Sequence, residues 1–196
     1  MCIRDRVLSA IGAKTSGAIT VTNAIDIAGT ADEVTAALVT AESLVVASTA
    51  TVTISDNPSI SALNAIAAKT DGVVTATLAA DSLSNLGDLT TAGTDVITIT
   101  VNDGATDDVT AANLSTLGGK TAGVVTVSNA VDISGTASEL TAALVTADTL
   151  VVAGTATANI TDEATTDINA TVLSAIGAKT SGAITVTNAI DIAGTA

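Results

Sequence analysis

The chain has 196 residues, of which 47% are hydrophobic although Phe, Tyr and Trp are absent, and its 20 acidic and 6 basic residues give a formal net charge of -14. This hydrophobicity excludes a disordered acidic tail, because disorder requires low hydrophobicity as well as charge. The acidity argues against nucleic acid or anionic lipid as a partner, the lack of histidine removes histidine catalysis and the usual zinc sites, and no apolar run reaches the ~18 residues of a membrane span.

Residues 1–6, with the sequence MCIRDR, resemble the translated end of a transposase adapter used in DNA library preparation. An internal duplication supports this interpretation, because identity between the two copies begins at Val7, directly after the adapter sequence. A signal peptide is the alternative, but these residues lack the apolar region that such a peptide needs. We therefore treat 1–6 as adapter-derived. Cys2, the single cysteine, belongs to this segment, so no disulfide framework is expected.

The rest of the chain is repetitive. Residues 7–31 recur without a change at 172–196, an offset of 165. Inside this period a Lys-Thr-x-Gly phrase marks each repeat unit, and its lysines are Lys14, Lys69, Lys120 and Lys179. Their separations of 55, 51 and 59 residues define units of unequal length. We therefore predict that 7–196 is one repeat array.

A helix is predicted just before each lysine. Leu or Ile stands six and three residues before it, and this spacing of three is helical. We expect these side chains to be buried: Leu8, Ile11, Leu63, Ile66, Leu114, Leu117, Leu173 and Ile176. Asn57 and Pro58 mark the start of one such helix, with Pro58 in its first turn. Each lysine is predicted in the last turn, facing the negative helix end, and each glycine three residues later in the left-handed closing conformation.

A strand is predicted after each glycine, because the apolar period changes there to two. The alternating positions are Ile19, Val21, Asn23, Ile25 and Ile27 in the first unit, and Val125, Val127, Asn129, Val131 and Ile133 in the third. The asparagines in this inward column are expected to satisfy backbone groups where the chain bends. The second unit departs from the pattern and carries Leu78 and Ala80 there.

A second helix and a second strand complete each unit. Thr30 with Glu33, and Thr136 with Glu139, have the spacing of a capping box. Apolar stripes at helical spacing follow at Val34, Ala37, Leu38 and Ala41 and at Leu140, Ala143, Leu144 and Ala147. The second strand is predicted at 52–55, 96–101 or 158–161. The second unit is irregular again, because residues 83–89 form a poor helix interrupted by glycine.

These elements predict an α/β solenoid. A single strand and short helix cannot bury their apolar faces alone, whereas stacked coils of about 27 residues share one core. Alternating strands and helices favour a parallel sheet with right-handed crossovers. The expected shape is similar to that of a leucine-rich repeat, without its consensus sequence. The alternative is an all-β solenoid in which the short helices are turns.

The repeats, rich in Ala, Thr, Val and Asp, resemble in composition the long tandem-repeat surface proteins and adhesins of marine bacteria and cyanobacteria. The resemblance implies an extracellular or cell-surface spacer or adhesin stalk, and it carries over no functional residue. The partners that it implies are neighbouring repeats of the same chain, while a surface or glycan ligand would bind other parts of the parent protein. We expect a fragment truncated at both ends, because Val7 lies mid-helix and Ala196 precedes the second helix.

Residues 117–121, Leu-Gly-Gly-Lys-Thr, resemble the end of a phosphate-binding loop. Leu114 occupies the first required glycine position, and Ala13, Ala68 and Ala178 replace the second in the sister units, so helix capping is the favoured interpretation. A catalytic Ser or Thr would need one of the lysines as its base. Because that lysine recurs in four equivalent copies, we expect a structural role, no enzyme activity, and no catalytic, cofactor-binding or metal residues.

Two further features are candidate binding sites. Residues 102–108 and 162–167 gather carboxylates where a strand meets a helix, and such oxygen ligands would accept Ca²⁺; helix capping by acids is the favoured alternative. Threonines two apart on the strands would form columns that bind ice or a crystalline surface, although Thr is also a good strand former. These threonines are Thr20/Thr22, Thr51/Thr53, Thr75/Thr77, Thr98/Thr100, Thr126 with Ser128, and Thr185/Thr187.

Overall fold

The structure, a computed structural model, describes residues 2–40, 45–146 and 151–194 and has an α/β fold of short helices and parallel strands. The helices are α1 (Asp5–Gly12), α2 (Ala31–Leu38), α3 (Ile60–Ala67), α4 (Leu83–Leu86), α5 (Ala111–Gly118), α6 (Ala137–Leu140), which continues as a π-helical turn over Thr141–Val145, and α7 (Ala170–Gly177). The predicted combination of helices and parallel sheets is therefore confirmed, and the all-β alternative is wrong.

The strands are short and alternate with the helices. They are β1 (Cys2–Arg4), β2 (Ile19–Thr20), β3 (Asp26–Gly29), β4 (Val45–Val46), β5 (Thr51–Ile54), β6 (Val74–Thr77), β7 (Val96–Val101), β8 (Val109–Thr110), β9 (Val125–Val127), β10 (Asp132–Gly135), β11 (Val151–Val152), β12 (Thr157–Ile160), β13 (Asp167–Asn169), β14 (Ile184–Val186) and β15 (Asp191–Ala193). The predicted second strands correspond to β5, β7 and β12, within one residue at each end.

The first of two compact units comprises Met1–Ala79 and Leu89–Thr98. Its main sheet has the order β1-β3-β5-β6 and the first half of β7, and β2 pairs with β4. Ile27 lies opposite Val52, and Thr53 lies opposite Thr75. Helix α2 packs between α1 and α3. The core is aliphatic throughout, as the absence of aromatic residues requires.

The second unit comprises Ala80–Asp88 and Ile99–Ala196. The second half of β7 pairs with β9, and β9 pairs with β11. A separate sheet has the order β14-β12-β10-β8, and β13 pairs with β15. Helix α5 packs against α4, α6 and the π-helical turn. The largest fully buried side chains of this unit are Leu86, Ile99, Leu114, Leu117, Ile133, Leu140 and Ile160.

Most of the predicted core positions are buried. Leu8, Leu63, Ile66, Leu114, Leu117 and Ile176 are buried, as are the described members of both second-helix stripes, Val34, Ala37, Leu38, Leu140, Ala143 and Leu144. Ala41 and Ala147 lie outside the described residues. The prediction is wrong for Ile11, which is 49% exposed, and Leu173 is only half-buried. The reason is that α1 packs chiefly against α2, and α7 chiefly against α6 and the π-helical turn, so each has one open side.

The prediction of one continuous strand after each glycine is wrong. It is broken into β2 and β3 in the first unit of the repeat, and into β9 and β10 in the third. The asparagine at the bend is exposed instead of pointing inward, as Asn23 and Asn129 show. Its predicted role is nevertheless confirmed at Asn129, whose Nδ2 donates to the carbonyl oxygens of Asn102 at 3.0 Å and Asp103 at 2.9 Å.

Polar side chains begin the helices. Thr30 and Thr136 form the predicted capping boxes with Glu33 and Glu139, whose carboxylates accept from the backbone N–H of the threonine. Pro58 lies outside α3, because Ser59 is the N-cap residue and accepts from the N–H of Ala62 at 3.2 Å. The irregular helix predicted for 83–89 is confirmed as the four-residue α4.

Candidate functional site

The four lysines lie beyond the helices and not in their last turns. Helices α1, α3, α5 and α7 end two residues before their lysine, at Gly12, Ala67, Gly118 and Gly177. Lys120 still meets a negative helix end, because its Nζ donates to the carbonyl oxygen of Gly87 at 2.6 Å, just after α4. The predicted electrostatic interaction is therefore made there with a neighbouring helix and not with the lysine's own helix.

The glycines of the Lys-Thr-x-Gly phrases are not left-handed. No glycine in the described residues has a positive φ, so that prediction is wrong. At Gly72 the requirement is close approach: a Cβ there would overlap the carbonyl oxygen of Ala50 and lie 2.6 Å from its carbon. Gly182 has the same relationship to Ala156. Glycine is needed here because the backbone of a later segment lies against that of an earlier one.

The threonine of the Lys-Thr-x-Gly phrase adds hydrogen bonds to this close backbone contact. Thr70 Oγ1 donates to the carbonyl oxygen of Ala50 at 2.5 Å and accepts from the N–H of Gly72 at 3.0 Å. Thr180 makes the equivalent bonds to Ala156 and Gly182. The phrase is therefore a side-chain-stabilised turn that docks on the backbone about 20 to 26 residues earlier in the chain. Its role is structural at both positions.

The residues resembling a phosphate-binding loop form the end of α5. Gly118 is the last helical residue and Gly119 is the C-cap. A phosphate loop must instead precede a helix, because the ligand binds the free N–H groups at the helix N-terminus. Thr121, at the threonine position of the phosphate-loop motif, is buried and accepts from the N–H of Gly123 at 2.8 Å. The geometry therefore fits helix termination and not phosphate binding.

The two acidic clusters contain residues that cap helices of earlier segments. Asp103 Oδ2 accepts from the N–H of Leu83, the first residue of α4, at 2.6 Å. Asp162 Oδ2 accepts from the N–H of Ala137, the first residue of α6, at 2.6 Å. Within 102–108, Asp107 accepts from its own turn, at the N–H of Gly104. Among the residues that the structure describes, no group of three or more His, Cys, Asp or Glu side chains is placed to hold a metal ion.

Asp56 makes the same contact and was not singled out by sequence reasoning. Its Oδ1 accepts from the N–H of Ala31, the first residue of α2, at 2.7 Å. A signal for it exists, because Asp56, Asp103 and Asp162 each stand two residues after the last buried residue of a second strand, Ile54, Val101 or Ile160. The recurring apolar-x-Asp spacing identifies this set without the structure.

The contacts of Glu33 lower the pKa of its carboxyl group. Its carboxylate accepts from the N–H of Thr30 at 3.0 Å and contacts Arg6, with 2.5 Å between Arg6 Nε and Oε1. The backbone hydrogen bond first, and then the guanidinium, lower the pKa of Glu33 from 4.5 to about 2. Hydrogen bonds from the Asn85 side chain and the Ser82 N–H likewise lower the pKa of Asp81. Both acids stabilise helix starts, which is a structural function.

The threonines form short rows and not long columns. In the first compact unit Thr53 lies opposite Thr75, but the row continues to Ala28 on one side and to Val96 on the other. Thr77 lies opposite Thr98 in a separate row. In the second compact unit Thr100 lies opposite Thr126, and the next strand places Val152 beside Thr126. Exposed valines such as Val96 and Val152 interrupt these rows.

The other threonines that were predicted to form columns have different partners. Thr20 lies opposite Val46, and Thr51 Oγ1 donates to Asp26 Oδ1. Thr187 lies outside β14, and its Oγ1 donates to Asn159 Oδ1 at 2.7 Å. A polar row that sequence reasoning missed crosses the second sheet of the second unit, and its members are Thr110, Ser134, Asn159 and Thr185. It was missed because only the strand register brings these residues together.

A cleft in the first compact unit is lined partly by polar side chains. Its volume is about 330 Å³, and Asn64, Thr70 and Asp95 contribute to its lining. Asp95 is buried, and its two carboxylate oxygens accept from the N–H of Val74 at 2.8 Å and of Ala92 at 3.0 Å. Asn64 Oδ1 accepts from the N–H of Thr90. These groups therefore hold the loop 89–95 in place.

Comparisons of the chain with protein-family models, with curated proteins and with solved structures found no match. In the part of the chain that the structure describes, no helix is both long and apolar enough to cross a membrane. The interpretation of function consequently depends on the repeat geometry and the surface chemistry alone.

Proposed function

We propose that this chain is a non-catalytic segment of an exported cell-surface repeat protein, where it acts as a structural spacer or adhesin stalk built as a right-handed α/β solenoid. The observation that carries the proposal is the recurrence of equivalent contacts between successive coils. A structure whose coils contact mainly their neighbours can be lengthened by adding repeats, which is what a spacer requires.

Two pairs of contacts illustrate the recurrence. Asp56 caps α2 at Ala31, and Asp162 caps α6 at Ala137, in each case across 25 residues. Thr51 donates to Asp26, and Thr157 donates to Asp132 at 2.8 Å, again across 25 residues. Thr51 also lies opposite Asp26, and Thr157 opposite Asp132, in paired parallel strands. Equal spacing of equivalent bonds at two places in the chain supports a recurring contact between neighbouring coils.

The surface chemistry agrees with a spacer. The described acids that make side-chain hydrogen bonds mostly accept from backbone N–H groups at helix or loop starts, so these carboxylates have structural partners. A net charge of -14 favours solubility and disfavours collapse of an extended array onto itself. The same charge supports a surface role in preference to binding polyanions.

Small-angle X-ray scattering tests the architecture. We would compare the chain with versions lengthened by one and two further copies of residues 7–171. The proposal expects the maximum dimension to grow by a constant increment per copy while the cross-sectional radius stays unchanged. Growth of the radius of gyration as about the 0.38 power of length, as for a compact globule, would contradict it.

Labelling of intact cells tests the location. Antibodies raised against the purified chain should bind unpermeabilised cells that make the parent protein. Binding that requires permeabilisation would overturn the cell-surface part of the proposal and leave the solenoid intact. The two experiments therefore separate the architecture from its biological setting.

Binding to ice or to a crystalline surface is the second candidate, and the pair of exposed Thr53 and half-buried Thr75, which lie opposite each other, favours it. The spacer is preferred because the row of Thr53 and Thr75 is only two residues wide and is bounded by Ala28 and Val96. Thermal hysteresis of the purified chain separates the two candidates. A clear hysteresis that is lost in Thr53→Leu and Thr20→Leu, and kept in Thr155→Leu at an exposed turn, would reverse this ranking.

A further inference from the structure

Two Asp-Gly dipeptides occur in the chain, Asp71-Gly72 and Asp103-Gly104. Such a dipeptide is prone to rearrange, because the backbone nitrogen of the glycine can attack the side-chain carboxyl carbon of the aspartate, and glycine has no Cβ to obstruct the approach. The new N–C bond closes a succinimide ring and releases one water molecule. A second water molecule then opens the ring at either carbonyl, which gives back aspartate or gives isoaspartate.

The attacking nitrogen is held in a turn at both dipeptides, but by different acceptors. The N–H of Gly72 donates to Thr70 Oγ1 at 3.0 Å, whereas the N–H of Gly104 donates to Asp107 Oδ2 at 2.6 Å. A hydrogen bond to a charged acceptor is stronger than one to a neutral hydroxyl. The nitrogen of Gly104 is therefore released less often than the nitrogen of Gly72.

The carboxyl groups of the two dipeptides differ more. Asp71 is exposed, and no residue that the structure describes donates a hydrogen bond to its carboxylate. Asp103 is half-buried, and its Oδ2 accepts from the N–H of Leu83 at 2.6 Å. The carbonyl oxygen of Asp103 also accepts from Asn129 Nδ2 at 2.9 Å. To react, Asp103 must release the start of α4, whereas Asp71 has only to rotate its side chain.

We propose that Asp71 is a site of spontaneous isoaspartate formation in the folded chain, whereas the contacts of Asp103-Gly104 protect that second dipeptide. Isoaspartate at residue 71 inserts one methylene group into the main chain. The insertion falls inside the turn where Thr70 Oγ1 donates to the carbonyl oxygen of Ala50, so it disturbs a contact between two segments. The inference goes beyond the proposed spacer role, because it concerns the chemistry of one peptide bond and not the location of the protein.

Incubation of the purified chain at neutral pH and 37 °C tests the proposal. One tryptic peptide, residues 70–120, contains both dipeptides, and electron-transfer fragmentation assigns isoaspartate to each position. The chain unfolded in guanidinium chloride gives the reference rates, which correct for the different neighbouring residues. Relative to that reference, we expect Asp71 to react about fivefold faster than Asp103 in the folded chain. Equal protection of both residues, or stronger protection of Asp71, would overturn the proposal.

Removal of the protecting contacts gives a second test. Asn129→Ala removes the donor to the Asp103 carbonyl oxygen, and Asp107→Ala removes the acceptor of the glycine N–H. Each variant should raise the rate at Asp103 and leave the rate at Asp71 unchanged. The matched control is Asp108→Ala, which removes a neighbouring exposed acid. No rise at Asp103 in either variant, or an equal rise in the control, would show that these contacts do not protect it.

A third test examines the helix-capping contact alone. Asp162 caps α6 through the N–H of Ala137 at 2.6 Å, as Asp103 caps α4, but the next residue is Glu163. Glu163→Gly therefore gives a third Asp-Gly dipeptide with a bonded carboxylate. We expect isoaspartate at residue 162 of this variant to form as slowly as at Asp103, relative to the unfolded chain. A rate as high as that of Asp71 would mean that capping gives no protection, and would overturn the proposal.

Discussion

The carboxylate of Asp56 accepts a hydrogen bond from the backbone N–H of Ala31 at 2.7 Å. Ala31 is the first residue of α2, where the N–H groups have no partner inside the helix. The capping box of Thr30 and Glu33 satisfies N–H groups of the same helix end. Local and distant residues therefore share the capping of α2, and the distant one joins segments 25 residues apart in the chain.

Replacement of Asp56 should destabilise the chain measurably. Asp56→Ala leaves the N–H of Ala31 without its acceptor, and we expect a loss of about 1–2 kcal/mol in the free energy of unfolding. Asp162→Ala should reduce the free energy of unfolding by a similar amount. Urea denaturation followed by circular dichroism measures the effect. The control is Glu163→Ala, which removes a neighbouring exposed charge; an equal loss there would show that charge, and not the capping contact, is responsible.

Gly72→Ala should be more damaging than Gly154→Ala. A Cβ at Gly72 would overlap the carbonyl oxygen of Ala50, whereas a Cβ at Gly154 meets no atom within 4 Å. Displacing backbone to fit the methyl group should cost about 1–3 kcal/mol or more. Gly154→Ala should be neutral or slightly stabilising. Thermal unfolding midpoints compare the two, and similar midpoints would contradict the close approach.

The capping box at Glu33 should make stability depend on pH under acidic conditions. The pKa of Glu33 is lowered to about 2 in the folded chain, against 4.5 normally. Folding therefore favours the ionised form, so its contribution is present above about pH 4.5 and is lost as the pH falls towards 2. Glu33→Gln should be less stable than the parent at pH 6, with the difference vanishing near pH 2.

The comparison should be made by urea denaturation at several pH values. Arg6→Ala is an informative second variant, because the hydrogen bond from Thr30 lowers the pKa more than Arg6 does. Part of the pH dependence should therefore survive in Arg6→Ala. A constant difference between the parent and Glu33→Gln from pH 6 to pH 2 would mean that Glu33 does not titrate in this way.

Leu63 and Ile11 occupy related helix positions but should respond differently to truncation. Leu63 is fully buried, and Leu63→Ala should cost about 2–5 kcal/mol through lost burial and a cavity. Ile11 is 49% exposed, and Ile11→Ala should cost less than about 1 kcal/mol. Denaturant midpoints provide the measurement. Equal costs would indicate that the open side of α1 is covered in solution.

Local sequence patterns predicted the helices well. Thr30 with Glu33 and Thr136 with Glu139 form capping boxes because the interacting groups are three residues apart, and so the sequence contains both partners. Val34, Ala37 and Leu38 are buried because their spacing places them on one face. Leu8 and Ile11 have an equally helical spacing, yet the side chain of Ile11 is exposed. Burial also depends on which neighbouring element covers the helix.

The sequence by itself determined the repeat, the capping boxes that begin α2 and α6, the aliphatic core and the departure of residues 83–89 from the pattern, because these depend on composition and on residues a few positions apart. Only the tertiary structure decided that Asp56 caps Ala31, that Thr70 binds Ala50, and that Lys120 reaches Gly87. These contacts join residues 20 to 33 positions apart. Their formation depends on the register between strands, which the side-chain pattern of one strand does not specify.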